Sequence, residues 1–288
     1  MHKTTTTFFN LWVLIFSIFG FNANAQTSLD NLTQKGLADS NYIEYNHPAP
    51  LDETHYAAQL DGLGLHLDTG AGSTQSSEPD LSSLNHCKSL VYRTLESLPQ
   101  EAVNHLQNLT LSFDNEARRG LGGGSTIILR CSNVTDEELV GVLVHEMGHI
   151  EDTGVLQGNS YTGESEFKDG SNPIYNNDPS LDFYRLSFLG EKTLRPDATP
   201  LNFVSGYAMS DPFEDFAETY NYYILHGDQF RELAKVNDVL QKKYDFLKNR
   251  VFNGKEFFNG DGSTAINYLS RDYDTTVLHY DIQKFLVV

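Results

Sequence analysis

Apolar residues recur at three- and four-residue spacings through Leu84, Cys87, Leu90, Val91, Thr94, Leu95 and Leu98, which predicts an amphipathic helix from near Leu81, stopped by Pro99. Leu109 to Phe113 alternates, and Thr126 to Cys131 is β-branched and apolar, so two strands are expected. The glycine-rich turn Arg118–Gly124 would join them as a hairpin; no Lys-Ser/Thr follows those glycines, which excludes a phosphate loop. Thr135-Asp136-Glu137-Glu138 is a capping box, and Leu139, Val142, Leu143, Met147 and Ile150 form the buried stripe of the helix it starts. That helix should end near Asp152–Gly154, with Gly154 in the left-handed conformation. Residues 156–200 read as a long solvated loop, with a short helix over Leu181–Leu189 and no calcium-loop pattern. Asp211 and Pro212 can cap and open a further helix, and Gln229–Val251 predicts one more amphipathic helix. Thr275–Tyr280 and Lys284–Val288 read as two short strands or an extended packed tail, without evident chemistry, and Asn259–Gly262 as a turn.

The two ends of the chain change this picture. His2 and Lys3, the apolar run Phe8–Phe21 and Ala23-Asn24-Ala25 form a secretory signal, with cleavage expected after Ala25. A secreted or periplasmic location follows, and the run is short for a bilayer span. Residues 26–80 are polar and weakly periodic, a linker with a pro-segment as the alternative, and Asp68-Thr69-Gly70 within them is read as turn chemistry. The expected organisation is therefore leader 1–25, linker 26–80, one main domain 81–255 and a C-terminal tail 256–288 packed on it. Loss of the leader removes Lys3 and no acid, leaving 39 acidic and 19 basic residues. Such an acidic surface repels nucleic acid and anionic lipid. An oxidising compartment makes a Cys87–Cys131 disulfide the expectation, two buried free thiols being the alternative. Oligomeric state cannot be read.

The chemistry lies in His145-Glu146-Met147-Gly148-His149. In a helix His145 and His149 project from one face a turn apart, so two neutral imidazoles can share one divalent metal, with Glu146 beside them to act on water. Three downstream stretches offer candidates for a third ligand. Asp152 and Val155 stand where an extended metzincin pattern requires Gly and His. Glu164 and Glu166 lie in a turn-like stretch with no acid four residues on. Glu214 and Glu218 share a helix face, where two carboxylates repel unless a cation or donor lies between them. Glu214 as ligand and Glu218 as acceptor from a ligating imidazole would satisfy both. His226 and His279 read as structural.

The stretch Tyr207-Ala208-Met209-Ser210-Asp211-Pro212-Phe213-Glu214-Asp215-Phe216-Ala217-Glu218 resembles the second zinc motif of the catalytic domain of anthrax lethal factor and of the secreted Pro-Pro endopeptidases. A Tyr seven residues before the ligand Glu is shared, and the likeness spans about Leu81 to Val251. It implies an α+β zincin-like fold, with a small mixed sheet and active-site helix facing a helical C-terminal subdomain. It also implies one Zn2+ on His145, His149 and Glu214, Glu146 as general base, Tyr207 as transition-state donor, and a protein or peptide substrate. By the same likeness the strand before the motif helix, Ser125–Cys131, would be the edge that pairs with substrate. A catalytically silent binding or inhibitor protein, or another zinc-dependent amide hydrolase, stays open. No counterpart of the toxin's large additional domains is expected within these 288 residues, and nothing marks a Pro-Pro preference.

Overall fold

The computed structural model describes residues 52–69, 79–115, 117–259 and 266–286. The expected secretory leader 1–25, the Gly/Ser-rich stretch 70–78 and the turn at 260–262 lie outside the described residues. The elements follow the order α1 (Glu53–Gly62), β1 (His66–Asp68), α2 (Leu81–Ser97), α3 (Gln100–His105), β2 (Asn108–Ser112), β3 (Gly120–Gly123), β4 (Thr126–Arg130) and α4 (Asp136–Ile150). Two small hairpins, β5 (Glu164–Asp169) with β6 (Asn172–Tyr175) and β7 (Phe188–Gly190) with β8 (Thr193–Leu194), flank the short helix α5 (Leu181–Tyr184). Then come α6 (Pro212–Leu225), α7 (Gly227–Ala234), α8 (Asp238–Phe246) and α9 (Ile282–Leu286). The architecture is a mixed α and β fold built on a small mixed sheet, in keeping with the α+β expectation.

The main sheet has the order β1-β2-β4-β3. Leu109 and Leu111 of β2 lie level with Ile127 and Leu129 of β4, and all four are fully buried. This alternation fixes the register, because a one-residue slip of either strand would turn its two buried apolar side chains to the other face. β2 and β4 run parallel, which corrects the expected hairpin between them. The hairpin instead joins β3 to β4, antiparallel, around Gly124 and Ser125. The glycine-rich stretch is thus a strand, and Thr126–Arg130 is internal to the sheet rather than its edge.

Residues 53–68 hold a helix and a strand where only linker was expected. Asp52 caps α1 by accepting from His55 N, and His66–Asp68 extends the sheet beside β2. α2 buries Cys87, Leu90, Val91, Thr94 and Leu95, the predicted stripe, and Cys87 is bonded to Cys131 just beyond β4. The expected long helix over 229–251 is broken at Asn237, whose side chain accepts from Val239 N and Leu240 N and so starts α8 afresh. Downstream, Thr275–Val277 is a 3-10 turn and Ile282–Leu286 a helix, not strands. The C-terminal half packs largely through aromatic rings, among them Phe183, Phe216 and Phe246 in mutual edge contacts.

Candidate metal centre

Two helices meet at the centre. Thr135 caps α4 by accepting from Glu138 N at 3.2 Å, as the capping box predicts, but Glu138 itself turns to Arg119. α4 runs on through a π-turn, Glu151–Val155, so Gly154 is not left-handed. Gly154 serves close approach instead: a Cβ there would lie 2.2 Å from Gly124 O. Asp211 starts α6 by accepting from Phe213 N and Glu214 N at 3.1 and 2.9 Å, with Pro212 at the first helical position. The axes come together at Gly148, where a Cβ would sit 2.8 Å from Ala217 Cα. Asn221 Nδ2 also donates to Gly141 O at 2.7 Å across the buried contact.

This packing brings His145, His149 and Glu214 together with their ligand atoms within 4.8 Å of one another. Glu214 Oε2 lies 3.3 Å from His145 Nε2 and 3.5 Å from His149 Nε2. That oxygen is buried and has no aligned hydrogen-bond donor. Two imidazole nitrogens and a carboxylate oxygen converging in this way could hold a metal ion. His145 Nδ1 is 2.9 Å from Glu218 Oε1, at ion-pair distance though short of hydrogen-bond alignment. Glu218 is fully buried, and its other oxygen accepts from Thr275 N at 2.9 Å. Tyr207 Oη donates to Glu214 Oε1 at 2.9 Å. Glu164 and Glu166 are elsewhere, on β5 beside Lys168 and Arg185.

Burial disfavours charge on His145, but Glu214 and Glu218 outweigh it and hold the imidazole well above its ordinary value. Burial likewise opposes ionisation of Glu214, and the two histidines reverse this and lower it. Glu146 moves the other way: its burial raises it, against smaller opposing effects from both imidazoles. Burial and then the Glu214 charge push the Tyr207 phenol up. A cation between Glu214 and the imidazoles would favour the carboxylate and the neutral imidazoles.

Glu146 lies beneath β3, where only glycine leaves room for it. A Cβ at Gly120 would fall 2.2 Å from Glu146 Oε1, and one at Gly122 2.8 Å from Oε2. Leu121, between them, points out to solvent. Among the described residues β3 pairs only with β4, so its outer edge is open. A cleft of about 500 Å³ runs between this edge and Tyr207, with Glu146 and the three ligand candidates on its floor.

Sequence reasoning missed Tyr273, Asp274 and Thr276, which line the same cleft. Their local signature was legible, since Asp274 accepts from Thr276 N as a cap, but their destination was not. Comparison of the chain with protein-family models, with curated proteins and with solved structures finds no match.

Proposed function

We propose that the protein is a secreted zinc-dependent endopeptidase of the zincin type, the branch its second motif resembles. The observation that carries this reading is the convergence of His145, His149 and Glu214 in one cleft with Glu146. Two imidazoles and one carboxylate suit Zn2+ and leave a coordination position for water or substrate. Zinc bound there would lower the pKa of a water molecule and polarise a carbonyl oxygen.

The chain's own groups do the rest. Glu146 takes the proton of the attacking water and returns one to the departing amine. Glu218, on the Nδ1 side of His145, fixes the tautomer that leaves the Nε2 lone pair free. Tyr207, bonded to Glu214 in this state, is placed to donate to the oxyanion that develops on the substrate carbonyl. The open edge of β3 offers backbone groups to an extended peptide by strand addition. Gly120 and Gly122 keep that approach clear on the Glu146 side. The expected secretory leader supports an extracellular or periplasmic site of action, and the acidic composition disfavours nucleic acid and anionic lipid as partners.

The test is digestion of a diverse peptide mixture by the mature protein, with a chelator control, beside metal analysis of three variants. Glu146→Gln should bind zinc and cleave nothing. Glu214→Ala should lose the metal, and Tyr207→Phe should keep it with turnover reduced. Cleavage that survives Glu146→Gln, or wild-type protein that binds no zinc, sinks the reading.

A further inference from the structure

We propose that Tyr273 is a substrate-contacting, specificity-determining side chain of this cleft, held in place by the C-terminal segment 271–276; the inference rests on the peptidase reading above. Its backbone is fixed beside the candidate oxyanion donor. Gly206 N donates to Asp272 O at 2.8 Å and Tyr207 N to Tyr273 O at 2.6 Å, so two consecutive backbone hydrogen bonds join the segments. The Tyr207 and Tyr273 rings lie 5.9 Å apart at 44°. Gly206 makes room for this: a Cβ there would sit 3.1 Å from Tyr273 Cδ2.

The residues on either side are anchored at several points. The Arg271 guanidinium donates to Phe203 O at 2.9 Å. Asp274 pairs with Arg119, just before β3, and Thr276 Oγ1 accepts from the same guanidinium at 2.8 Å. Thr275 N reaches Glu218, the carboxylate that also faces His145. One segment therefore ties together the edge strand, the second helix and the Tyr207 loop.

The Tyr273 side chain contrasts with its backbone. It is 71% exposed although it lines the cleft, so packing of the fold makes little use of it. An aromatic ring on a fixed backbone beside the reacting carbonyl can cover an apolar or ring-bearing substrate side chain, and its backbone has little conformational freedom left to lose on binding. Polar or absent side chains at that substrate position gain nothing from it.

The test uses fluorescent tripeptide hydroxamates whose residue next to the hydroxamate is Gly, Leu, Phe or Pro, titrated by anisotropy against zinc-loaded protein. Metal content and melting temperature are checked for each variant. Tyr273→Ala should weaken the Leu, Phe and Pro probes about threefold to tenfold, the range of an aromatic contact, and leave the Gly probe unchanged. Tyr273→Phe should match the wild type. Equal losses on all four probes, or no loss on any, overturn the proposal while leaving the peptidase reading intact. Hydroxamate binding that depends on Tyr273, in a wild-type protein that cleaves no peptide, supports the contact and overturns hydrolysis alone. A zinc-loaded wild type that binds none of the probes overturns both.

Discussion

Gly148 gives the most direct test of how the centre is assembled. It is the residue before His149 on α4, at the point of closest approach to α6. Taken as an isolated helix position, Gly148→Ala should stabilise by about 0.8–1.0 kcal/mol, since Ala is the better helix former. The added methyl, however, would meet Ala217 Cα at 2.8 Å, Tyr220 Cβ at 3.1 Å and Ala217 Cβ at 3.3 Å. Comfortable carbon–carbon contact begins near about 3.5 Å, so the helices must part by roughly 0.7 Å. The nearest atom is backbone and cannot swing away. Overpacking of this kind costs about 1–3 kcal/mol, which cancels the propensity gain and leaves a net loss of up to about 2 kcal/mol.

For a chain of this size each kcal/mol of that loss lowers the melting temperature by about 2–4 °C. The strain also falls on the contact that sets Glu214 and Glu218 against the histidines, so zinc affinity should drop, by about tenfold for each 1.4 kcal/mol of lost binding. The control is Gly62→Ala on α1, where a Cβ meets nothing within 4 Å. It should be neutral or slightly stabilising, with metal binding unchanged. Differential scanning calorimetry and a competitive zinc titration read both quantities. A Gly148→Ala protein that melts as high as the wild type and binds zinc equally well would show that the two helices are not held at the distance described.

Two further predictions concern the scaffold. Lys243 on α8 is wholly buried, with Nζ 2.8 and 2.6 Å from the Asp215 oxygens and 3.0 Å from Asn202 O; burial raises Asp215 to about 6 and lowers Lys243. Lys243→Met should therefore cost about 3–5 kcal/mol in urea unfolding by stranding the carboxylate, and adding Asp215→Leu should recover most of it; a loss below about 1 kcal/mol for Lys243→Met alone would refute the argument. His86 on α2 bridges Glu53 of α1 and Asp136 of α4 at 2.8 Å each, and these two carboxylates raise its pKa above 6.5. The bridge should contribute fully below pH 6.5 and fade as pH rises through the higher folded value; being 43% exposed, it is worth at most about 1 kcal/mol. His86→Gln should flatten that part of the stability–pH curve, and an unchanged slope would remove His86 as its source.

The parts of this fold that were legible in the sequence are those fixed by neighbours in the chain. Thr135 and Asp211 announce helix starts because a cap needs only the next three backbone N–H groups. The alternation in β2 and β4 likewise shows which side chains face inward. Their parallel pairing was not visible, because alternation is the same for either strand direction. Asn237 caps a helix within what reads as one continuous amphipathic stretch, although its signal is as local as that of Asp211. The helix and strand at 53–68 were hidden by polarity: α1 buries only Ala57 and Leu60 along its length, too few to mark a stripe.

The centre itself divides along the same line. His145 and His149 are four residues apart on one helix, and Glu214 and Glu218 four apart on another, so each pair was readable alone. What brings the pairs together is Gly148, whose missing side chain is an unremarkable feature of a sequence until Ala217 is placed against it. The same holds for β3. A run of glycines reads as a turn when conformational freedom is taken as the reason for them, yet Gly120 and Gly122 are there for space, each facing a Glu146 oxygen that any Cβ would strike. Tyr273 is the extreme case, because it is 66 residues beyond Tyr207 and meets it through backbone hydrogen bonds to which side-chain identity contributes little. Residues that act through what they lack, or through their backbone, leave the weakest trace in a sequence, and here they form the walls of the cleft whose floor the motif had already marked.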